Sequence, residues 1–260
     1  MDPIENIVDI VEAHHEHFVL AVTGFDGVLV DYEANPENVR LSAERCRVLD
    51  AFKNRHDVAL AIVSGRRVND LRDRVNLGSE VWYVGLHGLE TEGPDFSRAE
   101  RQAFDCCRAP VQDIAAILAP ALSSVAGVRV EDKKAAIAVH TREAGPRDAV
   151  WARIRLLSTA ANVAHHEELR TLRGNHVLEL IPNVDRPRGT AIAGLRDHVE
   201  TRVGRPVFTL YIGEDVPDDD AFDAIPGPGM SVAVGERASK ARFHLASPAD
   251  VWRLVERLTA

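Results

Sequence analysis

Two turns and one acidic loop hold the side chains best suited to chemistry. In FVLAVTGFDGVLV, residues 18–30, an apolar β-branched run breaks into a glycine-rich turn carrying one carboxylate, Asp26. Gly24 stands at the tip of that run and offers no side chain. In VALAIVSGR, residues 58–66, a second apolar run ends in Ser64-Gly65-Arg66. A hydroxyl and backbone N–H groups at such a turn can grip a phosphate; a plain turn is the other reading. Residues 213–220 read GEDVPDDD and bring Glu214, Asp215, Asp218, Asp219 and Asp220 close together. Oxygen ligands at that density can hold a hard cation. They can equally form a solvated acidic loop in which Asp218 caps the next helix. Asp26, Glu214 and Asp215, if gathered, could also serve general acid–base chemistry.

These residues need elements to position them. FVLAVTG (18–24), VALAIVSGR (58–66), VWYVGLHG (81–88) and VFTLYIGED (207–215) are short apolar runs that end in turn-forming or polar residues. Runs of this kind read as strands buried on both faces of a parallel sheet. Helix-spaced apolar residues between them make the pattern β-α-β and predict a doubly wound α/β core. In such sheets functional residues collect at the carboxyl ends of the strands.

The middle of the chain has a different pattern. FSRAERQAFDCCRAPVQDIAAILAPAL is expected to be helical. GVRVEDKKAAIAVHTR (127–142) alternates, with Lys133 and Lys134 at a hairpin turn. RDAVWARIRLLSTAANVA predicts a second helix and LRTLRGNHVLELIP a returning strand. This predicts an α+β domain over residues 93–185, inserted into a core of residues 1–92 and 186–260. The core resumes with a helix opening at Gly189–Thr190.

Composition excludes some functions. The 260 residues are 45% hydrophobic, enough for a real core, and the net charge of −9 argues against nucleic-acid binding, which needs a basic face. Three cysteines, two of them adjacent as Cys106 and Cys107, form neither a disulfide framework nor a zinc pattern, and a reducing, cytoplasmic setting is expected. No signal peptide and no membrane span is expected from the hydropathy pattern. The histidines at 14, 15, 17, 165 and 166 have no acidic or cysteine partner at ligand spacing and read as surface.

FDGVL, VSGR, GLHGLE, VEDKKAAIAVHTR, LELIP with RGTA, and YIGEDVPDDDAF occur in that order. Together they resemble the trehalose-6-phosphate phosphatases of the haloacid dehalogenase (HAD) superfamily, with a type IIB cap, over nearly the whole chain. The resemblance implies a HAD-like core with an inserted cap, a sugar phosphate such as trehalose 6-phosphate as ligand, and Mg2+ as cofactor. Asp26 matches the general acid/base position, and Gly24 falls on the nucleophile position, where the family has aspartate. Ser64 and Gly65 match the phosphate-gripping motif. Arg188 stands at the family's lysine; it keeps the charge but is not a neutral swap. Asp26, Glu214 and Asp215 match the Mg2+ positions, with Glu214 in place of aspartate. His87, Glu131, Lys133, His140, Arg142 and Glu179 match sugar-contact positions, although alternation alone would also leave the cap charges on a solvated sheet face.

A missing nucleophile makes a binder with poor turnover the expected outcome, because losing a core catalytic member has cost about 10⁶-fold elsewhere. An active phosphatase with a substitute nucleophile, and an enzyme using Asp26 for other acid–base chemistry, remain the alternatives.

Overall fold

Strand β1 (Phe18–Gly24) is apolar on both sides because it lies in the middle of a sheet. The computed structural model describes residues 2–33, 36–94, 96–100, 107–163, 165–184, 187–225 and 227–260. Parallel to β1 run β2 (Val58–Val63) on one side and β10 (Val207–Gly213) on the other. Beyond β10 lie β11 (Gly229–Val234) and β12 (Phe243–Leu245), both parallel. Beyond β2 lie β3 (Trp82–Gly85), parallel, then β4 (Glu90–Gly93), antiparallel to β3, and β5 (Phe96–Glu100) at the edge.

Successive side chains of a strand point to opposite faces. Val19 and Ala21 pack with residues of α1 (Pro3–Ala13), α2 (Ala43–Lys53), α3 (Val68–Val75) and α8 (Pro248–Thr259). Leu20 and Val22 pack with Ile192 and Leu195 of α6 (Pro187–Val203) and Phe222 of α7 (Val216–Ala224). Helices on both faces of a largely parallel sheet make the expected doubly wound core.

The chain divides into one compact unit of residues 1–99 and 186–260 and a second of residues 100–185. The second unit has a four-stranded antiparallel sheet in the order β6 (Arg129–Asp132), β7 (Ile137–His140), β9 (Val177–Pro182), β8 (Leu169–Gly174). Helices α4 (Arg108–Leu122) and α5 (Pro146–Ala160) complete it.

Two expectations are corrected here. Where the sequence predicts a helix from Phe96 onward, Phe96–Glu100 is a strand and Arg108–Leu122 is a helix; residues 101–106 lie outside the described residues. Pairing at a sheet edge outweighed local propensity, which is weak in FSRAE. Cys106 lies outside the described residues. The single returning strand is a hairpin that turns at Asn175-His176, with His176 at φ 57°. Gly174-Asn175 supplies residues that tolerate such a turn.

Among the described residues no helix is long and apolar enough to cross a membrane.

Candidate active site

Sheet register brings the strand tips together. Gly24 pairs with Val63 of β2, and Thr23 pairs with Ile212 of β10. Asp26, Ser64 and Glu214 follow these residues in sequence, so all three leave the same edge of the sheet. The turn after β3 joins them: the His87 N–H donates to the Ser64 carbonyl at 3.1 Å.

The turn after β1 is tightly made. Leu29 N–H donates to the Phe25 carbonyl at 2.9 Å and Gly27 N–H to the Val30 carbonyl at 2.8 Å. Trp252 Nε1 on α8 pins it by donating to the Leu29 carbonyl at 3.0 Å. Gly24 is buried at its start. A Cβ there would lie 2.8 Å from Val28 Cγ2, too close for the present backbone and rotamer. Nor does Thr23 stand in as a nucleophile, since its hydroxyl donates to the Gly24 carbonyl at 3.0 Å.

Asp26 meets Arg66 end on. Arg66 Nε donates to Oδ2 and Nη2 to Oδ1, each at 2.8 Å. This bidentate, charge-assisted pair is the strongest hydrogen-bonding geometry open to a carboxylate. Arg66 also reaches Asp70 at 3.0 Å and the Pro36 carbonyl at 3.1 Å. Burial works against the Arg66 charge, but Asp26 and Asp70 outweigh it and raise its pKa. Ser64 Oγ accepts from the Arg66 N–H at 3.1 Å and lies 3.5 Å from Asp26 Oδ2. Gly65 lies between Ser64 and Arg66 in this turn. The structure thus gathers Gly24, Asp26, Ser64, Gly65 and Arg66.

Arg188, in the first turn of α6, is buried in a second cluster of the same unit. It donates through Nη1 to Asp218 and through Nη2 to His87 Nδ1, the latter at 3.0 Å. Its Nε is buried with no hydrogen-bond partner among the described residues. Asp218 also accepts from the Tyr211 hydroxyl at 2.7 Å and from the N–H groups of Glu214 and Asp215 at 2.8 and 2.9 Å. Burial alone would push the Asp218 carboxyl up, but Arg188, Tyr211 and the two N–H groups hold it below the ordinary range. Tyr211 is pushed well up by burial and by the charge of Asp218. Asp215, not Asp218, is the N-cap of α7; Asp218 closes the capping box from the third position.

Asp26, Glu214 and Asp215, the positions where the resemblance places Mg2+, each already face a donor. Asp26 has Arg66. Asp215 Oδ1 accepts from Val216 N–H at 2.7 Å. Glu214 Oε2 accepts from the Tyr32 hydroxyl at 2.5 Å. Glutamate is one methylene longer than aspartate, and its stem runs over the Gly27 turn. A Cβ on Gly27, at φ +75°, would meet Glu214 Cγ at 3.1 Å and Tyr32 Cε2 at 2.6 Å. Burial first, and then Glu214, push the Tyr32 phenol far up. Among the described residues no three Asp, Glu, His or Cys side chains are grouped to hold a metal. Mg2+ takes one or two open carboxylates beside water and phosphate oxygens, and with Asp26 held by Arg66, Glu214 by Tyr32 and Asp215 by Val216 N–H the residues as placed do not fit it.

In the second unit, cross-strand pairing places Arg129, Glu131, His140 and Glu179 on one face of the sheet. Glu131 pairs with Ala138, Ala138 with Glu179, and Arg129 with His140. His140 Nε2 lies 2.7 Å from Glu131 Oε2. Burial raises the Glu131 carboxyl, but Lys133, His140 and Arg129 overcome it and bring its pKa to about 2. Lys133 and Glu179, both buried, pair at 2.9 Å. Arg142 instead donates to the Asn175 carbonyl at 3.3 Å, at the hairpin turn.

Sequence reasoning missed Arg66 and Tyr32 as partners of the site. Arg66 was visible in the SGR motif; Tyr32, in an irregular polar stretch, carried no signal.

A family model described as trehalose-phosphatase matches residues 22–249. The trehalose-phosphate phosphatase of Mycobacterium marinum is 33% identical over 241 residues, covering 91% of this chain and 60% of the relative. The chain thus spans about 60% of the length of that relative. Among solved structures, the C-terminal domain of Candida albicans trehalose-6-phosphate phosphatase superposes with a TM-score of 0.83 at 20% identity, covering 100% of this chain and 97% of that one. A trehalose-6-phosphate phosphatase related protein superposes with a TM-score of 0.76 at 22% identity, covering 92% of this chain and 96% of that one.

Proposed function

The chain belongs to the trehalose-phosphatase family, and from that premise we propose that it binds a sugar phosphate such as trehalose 6-phosphate with little or no phosphatase turnover. The observation that carries this reading is Gly24. At the position where the family's carboxylate attacks phosphorus there is no side chain, and the Val28 methyl occupies the space a Cβ would take. Asp26 is a poor replacement, because attack through it would draw its carboxylate out of a bidentate pair with Arg66. A proton held by Asp26 for a leaving group would likewise have to displace a guanidinium N–H.

Support for retained binding comes from groups within each of the two units. Ser64 offers a hydroxyl at the strand tips, and Arg188 a buried guanidinium with an unsatisfied Nε. Arg188 sits in the first turn of α6, and the N-terminal end of a helix favours an anion. A carboxylate at residue 24 would repel a phosphate dianion, and its loss removes that repulsion. In the second unit, Glu131, His140, Lys133 and Glu179 supply acceptors and donors suited to sugar hydroxyls; Arg142 of that unit and His87 of the first complete the six positions of the resemblance.

Calorimetric titration with trehalose 6-phosphate tests the reading. Saturable binding is expected, weakened at least tenfold by Ser64→Ala with Arg188→Gln. Binding that is absent, or unchanged in the double variant, contradicts it.

A further inference from the structure

The groups that donate to the site's carboxylates are side chains of this chain. Arg66 makes two bonds of 2.8 Å to Asp26, and Tyr32 a bond of 2.5 Å to Glu214. Arg237 does the same for Asp219, at 2.9 and 3.0 Å, and also donates to the Glu214 and Asp215 carbonyls at 3.2 and 3.1 Å. These are built contacts. The Tyr32 ring lies against Gly27 where no larger residue fits, and the Glu214 stem lies over the same glycine. Arg66 is fixed from four directions, by Asp26 twice, by Asp70 and by the Pro36 carbonyl.

From this arrangement we infer that Tyr32 and Arg66 stand in for the divalent cation, so that the site takes its phosphate ligand independently of Mg2+. The inference rests on the sugar-phosphate reading above and deepens it. A cation entering between Asp26 and Glu214 would have to break a bidentate ion pair and a short phenol–carboxylate bond, and would find no carboxylate at residue 24. Tyr32 donates a hydrogen bond to Glu214 without adding charge, and Arg66 brings one positive charge to Asp26. The pairing also accounts for glutamate at residue 214: an aspartate would fall a methylene short of the Tyr32 hydroxyl.

The test is calorimetric, on the whole chain. Trehalose 6-phosphate is titrated in EDTA and again in 5-fold molar excess of Mg2+ over ligand, and Mn2+ alone is titrated with detection by electron paramagnetic resonance. Equal affinity within about twofold in the two buffers is expected, with no Mn2+ bound at millimolar concentration. The Gly24→Asp, Tyr32→Phe double variant, which restores one carboxylate and frees another, is expected to gain Mn2+ binding. Far-UV circular dichroism confirms that this variant is folded; should it not be, Tyr32→Phe with Glu214→Asp replaces it. Ligand binding that appears only with Mg2+, or Mn2+ bound by the parent chain, overturns the inference and leaves the binding reading standing. No ligand binding in either buffer overturns both.

Discussion

Gly24 is buried where β1 meets its turn, and Val28 fills the space beside it. Val28 Cγ2 would sit 2.8 Å from a Cβ at residue 24. Valine is stiff at χ1 and cannot simply swing aside. Gly24→Asp is therefore expected to lower stability by about 1–3 kcal/mol, as overpacking does, measured by urea unfolding. Adding Val28→Ala should recover part of that loss in the double variant relative to the sum of the two single changes. Restoring the carboxylate alone is not expected to restore turnover, because Arg66 still holds Asp26 and Tyr32 still holds Glu214. Much of this could be read from the chain. The absent side chain at Gly24 and the Ser64-Gly65-Arg66 turn are local facts of sequence. The partners of Asp26 and Glu214 were hidden, because Arg66 and Tyr32 reach them across 40 and 182 positions, and spacing does not encode such contacts.

At the scale of elements, the strand tips position the core site and cross-strand pairing positions the cap charges. Apolar runs announced β1, β2, β3 and β10, since a buried central strand needs apolar side chains on both faces. Edge elements were less legible. Phe96–Glu100 has no strong preference of its own and is a strand through its neighbours, while the hairpin at Asn175-His176 interrupts what reads as one apolar run. The cap sheet yields a pH prediction. Glu131 has its pKa lowered from 4.5 to about 2, so the native state binds its proton less readily than the unfolded chain does. Its contribution to stability is then fully present above about pH 4.5 and is lost as pH falls toward 2. Glu131→Gln should unfold at lower temperature than the parent at pH 7, and the two curves should converge as pH drops through that window. A difference that stays constant down to pH 2 would mean that Lys133, His140 and Arg129 do not act on Glu131 as a charge.

Across the whole molecule, the doubly wound core and its inserted unit were legible because both rest on periodicity, which every residue of an element reports. Electrostatic pairing between distant elements has no such repetition, and so the state of the carboxylates was not legible. The consequence is a chain of the trehalose-phosphatase family in which Asp26, Glu214 and Asp218 are engaged by internal ion pairs and hydrogen bonds. Phosphate release from trehalose 6-phosphate in Mg2+ buffer measures that consequence most directly. No release above the buffer rate is expected, with Asp26→Asn indistinguishable from the parent chain. Steady turnover at about 1 s⁻¹ or faster, the range of ordinary enzymes, abolished by Asp26→Asn, would contradict the reading of Gly24 as a vacant nucleophile position.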